Sequence, residues 1–185
     1  MQGIDVSHWN NLEDIYKNGT QDFIIAKLTE GKTMVDYTAF TYYLHAKSFS
    51  QLFGVYHFAH PENNSVLEEF EHFKENFKKF RDYSISIFLD VEAKALTLND
   101  AILDDWCYEW LRRAKELSTS KVGIYISQSQ CKRFKKCVEY PLWVARYRPE
   151  NKFYLGYGDV SPWSNATIWQ YDSKGIDKNI MYERS

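Results

Sequence analysis

The sequence predicts an α/β fold, an irregular (β/α) barrel of about eight strands and five helices with a helix-poor last third. Three observations predict it. Several strand-like runs are apolar almost throughout, as in Phe23-Ile24-Ile25-Ala26 and from Ile85 to Val91, which suits parallel strands buried on both faces. Helical patterns fill the first five gaps between runs, the arrangement that builds a parallel sheet, and eight strands are enough to close one. After residue 147 the alternation lapses into Gly- and Pro-bearing turns.

In order, strand-like runs fall at 3–8, 22–28, 53–59, 85–91, 122–127 and 142–147, with weaker ones near 153–157 and 166–171. The clearest helix follows Ser65-Val66-Leu67-Glu68, a capping-box sequence, and carries Leu67, Phe70, Phe73, Phe77 and Phe80 at helical spacing. A second carries Ile102, Trp106, Trp110, Ala114 and Leu117. Further helices are expected near 11–18, 36–50 and 128–136. The gaps at 148–152 and 158–165 hold Pro149, Gly158 and Pro162 without helical period and read as turns.

The 185 residues suit one domain, 1–185, with a single sizeable core. A net charge of −2 argues against a nucleic-acid binder that relies on a broad basic face. No apolar run approaches the roughly 20 residues of a membrane span, so no membrane insertion is expected. No secretory leader precedes the first strand. The chain is therefore expected to be cytoplasmic as made, acting after release like a phage lysin, or to be a fragment of a secreted protein. Cys107, Cys131 and Cys137 complete no zinc pattern and read as free thiols rather than a disulfide framework.

The chemistry concentrates in acids at strand ends, where barrels of this kind carry their working sites. Asp5 ends the first run, Glu30 follows the second, and Asp90 and Glu92 end the fourth. Residues two apart on a strand share a face, which puts the Asp90 and Glu92 Cα atoms roughly 6–7 Å apart. Paired carboxylates suit glycoside cleavage, because like charge keeps one of them protonated near neutral pH. Tyr56, His57, His60, Tyr125 and Tyr147 cluster at the same ends. Lys27 and Glu30 read most simply as an ion pair bracing the second strand.

Seven motifs in register make the chain recognisable: Gly3-Ile4-Asp5-Val6-Ser7-His8-Trp9, Phe23 to Gly31, Gly54-Val55-Tyr56-His57-Phe58, Leu89-Asp90-Val91-Glu92, Gly123-Ile124-Tyr125, Leu142 to Tyr147 and Ile168-Trp169-Gln170-Tyr171. Together they resemble glycoside hydrolase family 25, the Chalaropsis-type lysozymes. The resemblance implies a flattened TIM-like barrel and hydrolysis, without metal or cofactor, of the β-1,4 bond from N-acetylmuramic acid to N-acetylglucosamine in peptidoglycan, by a monomer. It makes Glu92 the general acid and base, Asp90 the residue that orients the substrate's 2-acetamido group, and Asp5 a source of negative charge near the reacting ring. Tyr56, Tyr125, Trp143, Tyr147 and Gln170 would bind substrate. The motifs leave open whether the acetamido oxygen or an enzyme carboxylate attacks.

One segment departs from the family pattern. Members commonly close with a stretch like Gly-Ile-x-Gly-Asn-Val-Asp-Leu-Asn, whereas this chain has Gly175-Ile176-Asp177-Lys178-Asn179-Ile180-Met181-Tyr182-Glu183, with Met181 where that Asp is expected. Either a fourth acid is missing, or Asp177, Asp172 or Glu183 replaces it. The alternative to an active muramidase is accordingly a weakened or inactive peptidoglycan-binding module. A chitinase-like barrel is disfavoured, because Phe88 and Ile85 stand where that motif needs further Asp residues.

Overall fold

Nine strands and four α-helices make up the computed structural model, which describes residues 1–17, 21–147 and 156–182. In chain order they are β1 (Gln2–Val6), α1 (Leu12–Lys17), β2 (Phe23–Glu30), β3 (Met34–Val35), α2 (Thr38–Ser48), β4 (Leu52–Phe58), α3 (Val66–Phe77), β5 (Ser86–Asp90), α4 (Asp100–Ala114), β6 (Val122–Ser127), β7 (Leu142–Ala145), β8 (Ile168–Asp172) and β9 (Asp177–Met181). Seven strands run parallel in the order β1, β2, β4, β5, β6, β7, β8. β9 closes the ring, antiparallel to both β8 and β1, and β3 is an extra antiparallel strand beside β2. The predicted barrel of eight strands is therefore present, with one more strand outside it.

Side-chain alternation sorts the strands into two cores. One set points into the barrel: Phe23, Ile25, Phe88, Tyr125, Trp143, Ile168 and Met181. The other, including Ile24, Ala26, Val55, Ile87, Leu89 and Ile124, packs outward against the helices. Glycine makes room for the inner set. A Cβ on Gly3 would meet the Phe23 ring at 2.6 Å, and one on Gly123 would strike the Pro141 carbonyl and the Phe88 ring. The two phenylalanine rings fill the space those glycines leave near the N-terminal end of the barrel.

The capping box at α3 forms as read. Ser65 Oγ accepts from the Glu68 amide and Glu68 Oε2 accepts from the Ser65 amide at 3.0 Å. Phe70, Phe73 and Phe77 bury the helix face, each worth roughly 1.5–3 kcal/mol of transfer free energy. Leu67 is exposed, however, and Phe80 lies past the helix in the 3-10 turn Lys78–Phe80. On α4 the buried stripe is Leu103, Cys107, Trp110, Leu111 and Ala114, one step round from the predicted one, so Ile102 faces solvent.

Two expected elements differ. The helix near 128–136 is replaced by 3-10 turns at Gln128–Arg133 and Cys137–Glu139. Of the weak strand near 153–157, residues 153–155 lie outside the described residues, while Gly156 and Tyr157 form a bend. The eighth barrel strand is β9, which sequence patterning missed because Asp177, Lys178 and Asn179 are polar on both faces. All three cysteines are free and buried, and among the described residues no helix is long and apolar enough to cross a membrane.

Replacing Gly123 with Ala forces its new methyl against backbone that cannot rotate away, so we expect a loss of about 2–3 kcal/mol, measured by urea denaturation. An unchanged midpoint would mean that the neighbouring β7 entry yields freely.

Candidate active site

The parallel strands deliver their C-terminal ends to one mouth, and four acids meet there. β1 brings Asp5, β5 ends on Asp90, and Glu92 follows two residues later in extended backbone. Alternation persists beyond the last residue of the strand: Asp90 points inward, Val91 is buried outside, and Glu92 points inward again. The Ala59 amide donates to the Asp90 carbonyl and the Val91 amide to the Tyr125 carbonyl, both at 3.0 Å, which anchors this strand end. Ala93 then turns the chain with φ +51°, a left-handed conformation that costs a non-glycine residue about 1–2 kcal/mol. That turn starts the 3-10 segment Ala93–Thr97 and leaves Glu92 at the mouth.

β9 brings the fourth acid. In the antiparallel register Asp177 stands opposite Asp5, and the two carboxyls share a hydrogen bond. Inward positions on β9 are Asp177 at the mouth, Asn179 below it and Met181 near the opposite end, where it packs in the cluster with Phe23 and Phe88. Met181 is therefore a core residue distant from the acids, and no acid is missing at its position. Of the candidates for a fourth carboxylate, Asp177 is the one beside Asp5. Asp172 acts on it as a more remote negative charge, and Glu183 lies outside the described residues.

Amides hold Asp5 from below. Gln170 Nε2 and Asn179 Nδ2 both donate to Asp5 Oδ2, at 2.8 and 2.7 Å. Gln170 Oε1 accepts from the Tyr125 and Tyr147 hydroxyls at 2.8 and 3.0 Å, and Asn179 Oδ1 accepts from Trp143 Nε1 at 2.8 Å. Trp143 meets Tyr125 and Tyr56 edge-on, with ring centroids 4.7 and 6.3 Å away. The residues expected from the motifs thus converge on one site. They divide into a nearly buried floor of Tyr125, Trp143 and Gln170 and a rim where Tyr147 is half-exposed. Asn179 is the member that sequence reasoning missed; its period-two spacing from Asp177 was the available signal.

Burial, reinforced by neighbouring negative charge, raises the proton affinity of all four acids. Burial, and then the charge of Asp177, pushes the Asp5 pKa up to about 7. Asp90 is raised well above the ordinary aspartate range by burial, with Glu92 and Asp5 adding repulsion. Glu92 is raised by burial and by Asp177, and Asp177 by burial first. Lys27 opposes this, lowering Asp90 and Glu92. Its ammonium is ion-paired to Glu30, the brace expected from the sequence, and lies 4.7 Å from the Phe58 ring centroid. One further feature is unusual: Asp90 Oδ1 is buried with no hydrogen-bond partner, which native proteins seldom leave without a ligand or water to fill the need.

Two residues grouped with the mouth behave differently. His57 faces outward, fully buried, its ring nitrogens 2.8 Å from Thr29 Oγ1 and Glu69 Oε2 and its face stacked on Trp110. His60 lies past β4 and joins Glu30 and Glu62. Among the described residues no group of three His, Cys, Asp or Glu side chains is arranged to hold a metal ion.

Comparison with known proteins gives a consistent picture. The family model for glycosyl hydrolases family 25 matches residues 4–180. The chain is 28% identical over 193 residues to Lysozyme M1 of Streptomyces globisporus; the match takes in 95% of this chain and 63% of that protein. Among solved structures, a muramidase from Trichobolus zukalii superposes with a TM-score of 0.78 at 24% identity, covering 100% of this chain and 94% of that one. The bacterial lysozyme from Streptomyces coelicolor gives the same score and identity over 99% and 92%.

Three outcomes follow from this arrangement. Between the ordinary aspartate value of 3.8 and about 7, the folded protein keeps a proton on Asp5 that the unfolded chain has released. Stability from this group therefore falls as pH rises through that window. Asp177→Asn should bring the Asp5 midpoint down from about 7, read by carboxyl NMR titration, and an unmoved midpoint would refute the pairing. Met181→Asp should bury an unpaired charge in the inner core and cost on the order of 3 kcal/mol or more in urea denaturation, with no gain in activity.

Proposed function

The chain belongs to glycosyl hydrolase family 25, and from that premise we propose that it hydrolyses the β-1,4 bond between N-acetylmuramic acid and N-acetylglucosamine in peptidoglycan. The observation that carries this reading is Asp90 Oδ1, buried and unpartnered beside Glu92 at a mouth of four acids. A neutral, hydrogen-bonding sugar ring with an acetamido arm is the kind of ligand such a site accepts. Its N–H supplies the donor that the orphaned oxygen lacks. The names of the relatives, lysozyme and muramidase, agree with it.

In this mechanism one proton resides on the Asp90–Glu92 pair, because burial and mutual repulsion disfavour two charges. In the substrate complex it sits on Glu92, which gives it to the leaving glycosidic oxygen. Asp90 accepts a hydrogen bond from the acetamido N–H, and the acetamido oxygen attacks the anomeric carbon as the glycosidic bond breaks. Water then opens the oxazolinium ring, and the Glu92 carboxylate takes the proton from that water. The attack is assigned to substrate because Asp5 and Asp90 are poorly suited to it. Asp5 Oδ2 is held by two amides, its proton affinity is raised, and Asp90 is nearly buried. The single negative charge shared by the Asp5–Asp177 pair stabilises the positive anomeric centre. Tyr56 and the rim residue Tyr147 contact sugar, while Tyr125, Trp143 and Gln170 hold Asp5 and the floor beneath it.

The binding-module reading rested on Met181 alone. With Met181 in the inner core and Asp177 beside Asp5, no observation favours it.

Glu92→Gln should keep the fold and lower the release of reducing ends from peptidoglycan by about 100–10,000-fold, the usual contribution of a general acid and base. Mass spectrometry of the products should show muramic-acid reducing termini. Wild-type rates in this variant would remove Glu92 from the role.

A further inference from the structure

His60 has a carboxylate on each side of its ring. Its Nε2 lies 2.9 Å from Glu30 Oε1 and its Nδ1 lies 3.0 Å from Glu62 Oε1. A neutral imidazole has one N–H and one lone pair, so it can donate to only one of these oxygens and would set its lone pair against the other. An imidazolium donates to both. Glu30 in turn places its second oxygen on the Lys27 ammonium, which is nearly buried and over the Phe58 ring. A continuous line, Glu62–His60–Glu30–Lys27, thus ends at the cation whose charge opposes the raised proton affinity of Asp90 and Glu92.

We propose that His60, held as an imidazolium between Glu30 and Glu62, is a positioning residue for the acid pair, setting through Glu30 how much of the Lys27 charge Asp90 and Glu92 feel. The inference rests on the muramidase reading for its consequence in catalysis. With His60 charged, two cations balance two carboxylates along the line. With it neutral, one negative charge is left over and Glu30 is balanced by Lys27 alone. The acid pair then feels less positive charge and holds its proton more tightly.

Other groups around His60 favour its charged form on balance. Glu69 on α3 accepts the His60 backbone amide with both oxygens at 3.1 Å. His57 on β4 is a neighbouring ring whose own pKa burial lowers, keeping it neutral beside Glu69. The Phe58 ring lies 5.3 Å away and Gly31 of the β2 end borders the imidazole. Burial works against charge on His60, and the hydrogen bonds to Glu30 and Glu62 outweigh it, raising the pKa. Glu62 Oε2 remains buried without a partner, a further negative atom beside the ring.

The test is carboxyl NMR titration of Glu92 in protein labelled with 13C-glutamate, together with 15N titration of the His60 ring. His60→Gln should raise the Glu92 midpoint by about half a pH unit. His60→Arg, charged at all pH values, should restore it, and Lys27→Met should raise it further. The wild-type ring should titrate above the ordinary histidine value of 6.5. A Glu92 midpoint identical in wild type and His60→Gln would overturn the proposal, as would a wild-type ring titrating at or below 6.5. The ring measurement needs no variant, so misfolding of His60→Gln leaves it decisive. Neither titration needs substrate, so failure here is separable from failure of the muramidase reading, which shows instead as wild-type protein releasing no reducing ends. Where both hold, the alkaline limb of kcat/KM moves upward in His60→Gln by the same interval while KM stays constant.

Discussion

Ring closure at β1 is the constraint on which the site depends. β1 pairs in parallel with β2 and antiparallel with β9, so Asp5 has Ile25 on one side and Asp177 on the other. Two carboxyls opposed across an antiparallel pair repel each other unless one keeps its proton, and they share a hydrogen bond here. The same closure brings Gln170 and Asn179 under Asp5, and these amides carry the hydrogen bonds onward to Tyr125, Tyr147 and Trp143. A parallel last strand would run the other way and present a different residue to Asp5. The antiparallel turn of one strand thus sets both the number of acids at the mouth and their protonation.

Period-two alternation then divides labour along each strand. Inward residues at the C-terminal end are polar and charged, while those at the other end are Phe23, Phe88, Ile168 and Met181. The acids therefore sit above an apolar base. Asp5 and Asp90 are themselves buried, so their fields act on one another with less screening than at an open surface. Lys27, on β2, opposes the negative charge of the Asp90–Glu92 pair, and it is tied down by Glu30. Balance between burial, crowding of like charge and the opposing Lys27 ammonium governs how the pair titrates.

Much of this was legible in the residues because it is local. The Ser65–Glu68 box and the Phe70, Phe73 and Phe77 spacing mark α3, and apolar runs ending in acids mark β1 and β5. What resisted was non-local. β9 carries polar residues on both faces because its inward side lines a polar mouth, so it offers no hydrophobic alternation to read. The role of Met181 depended on register: counting along a motif put an acid there, whereas pairing against β1 and β8 put Asp177 at the mouth and Met181 by Ile168. The segment at 128–133 has helical composition but winds as a 3-10 turn, in which Arg133 donates to the Leu96 and Leu98 carbonyls. Contacts across the chain decided its geometry.

The three cysteines carry a consequence of a different kind. Cys107, Cys131 and Cys137 are all buried and unbridged, and burial raises the proton affinity of each thiol, that of Cys131 to about 11. Sulfur in that state is scarcely ever thiolate, the form that attacks oxidants or exchanges with glutathione. Among the described residues no covalent cross-link holds the barrel together, and none of these thiols invites one. Its integrity is indifferent to redox poise, so the same molecule can be assembled in a reducing compartment and keep its shape in an oxidising one.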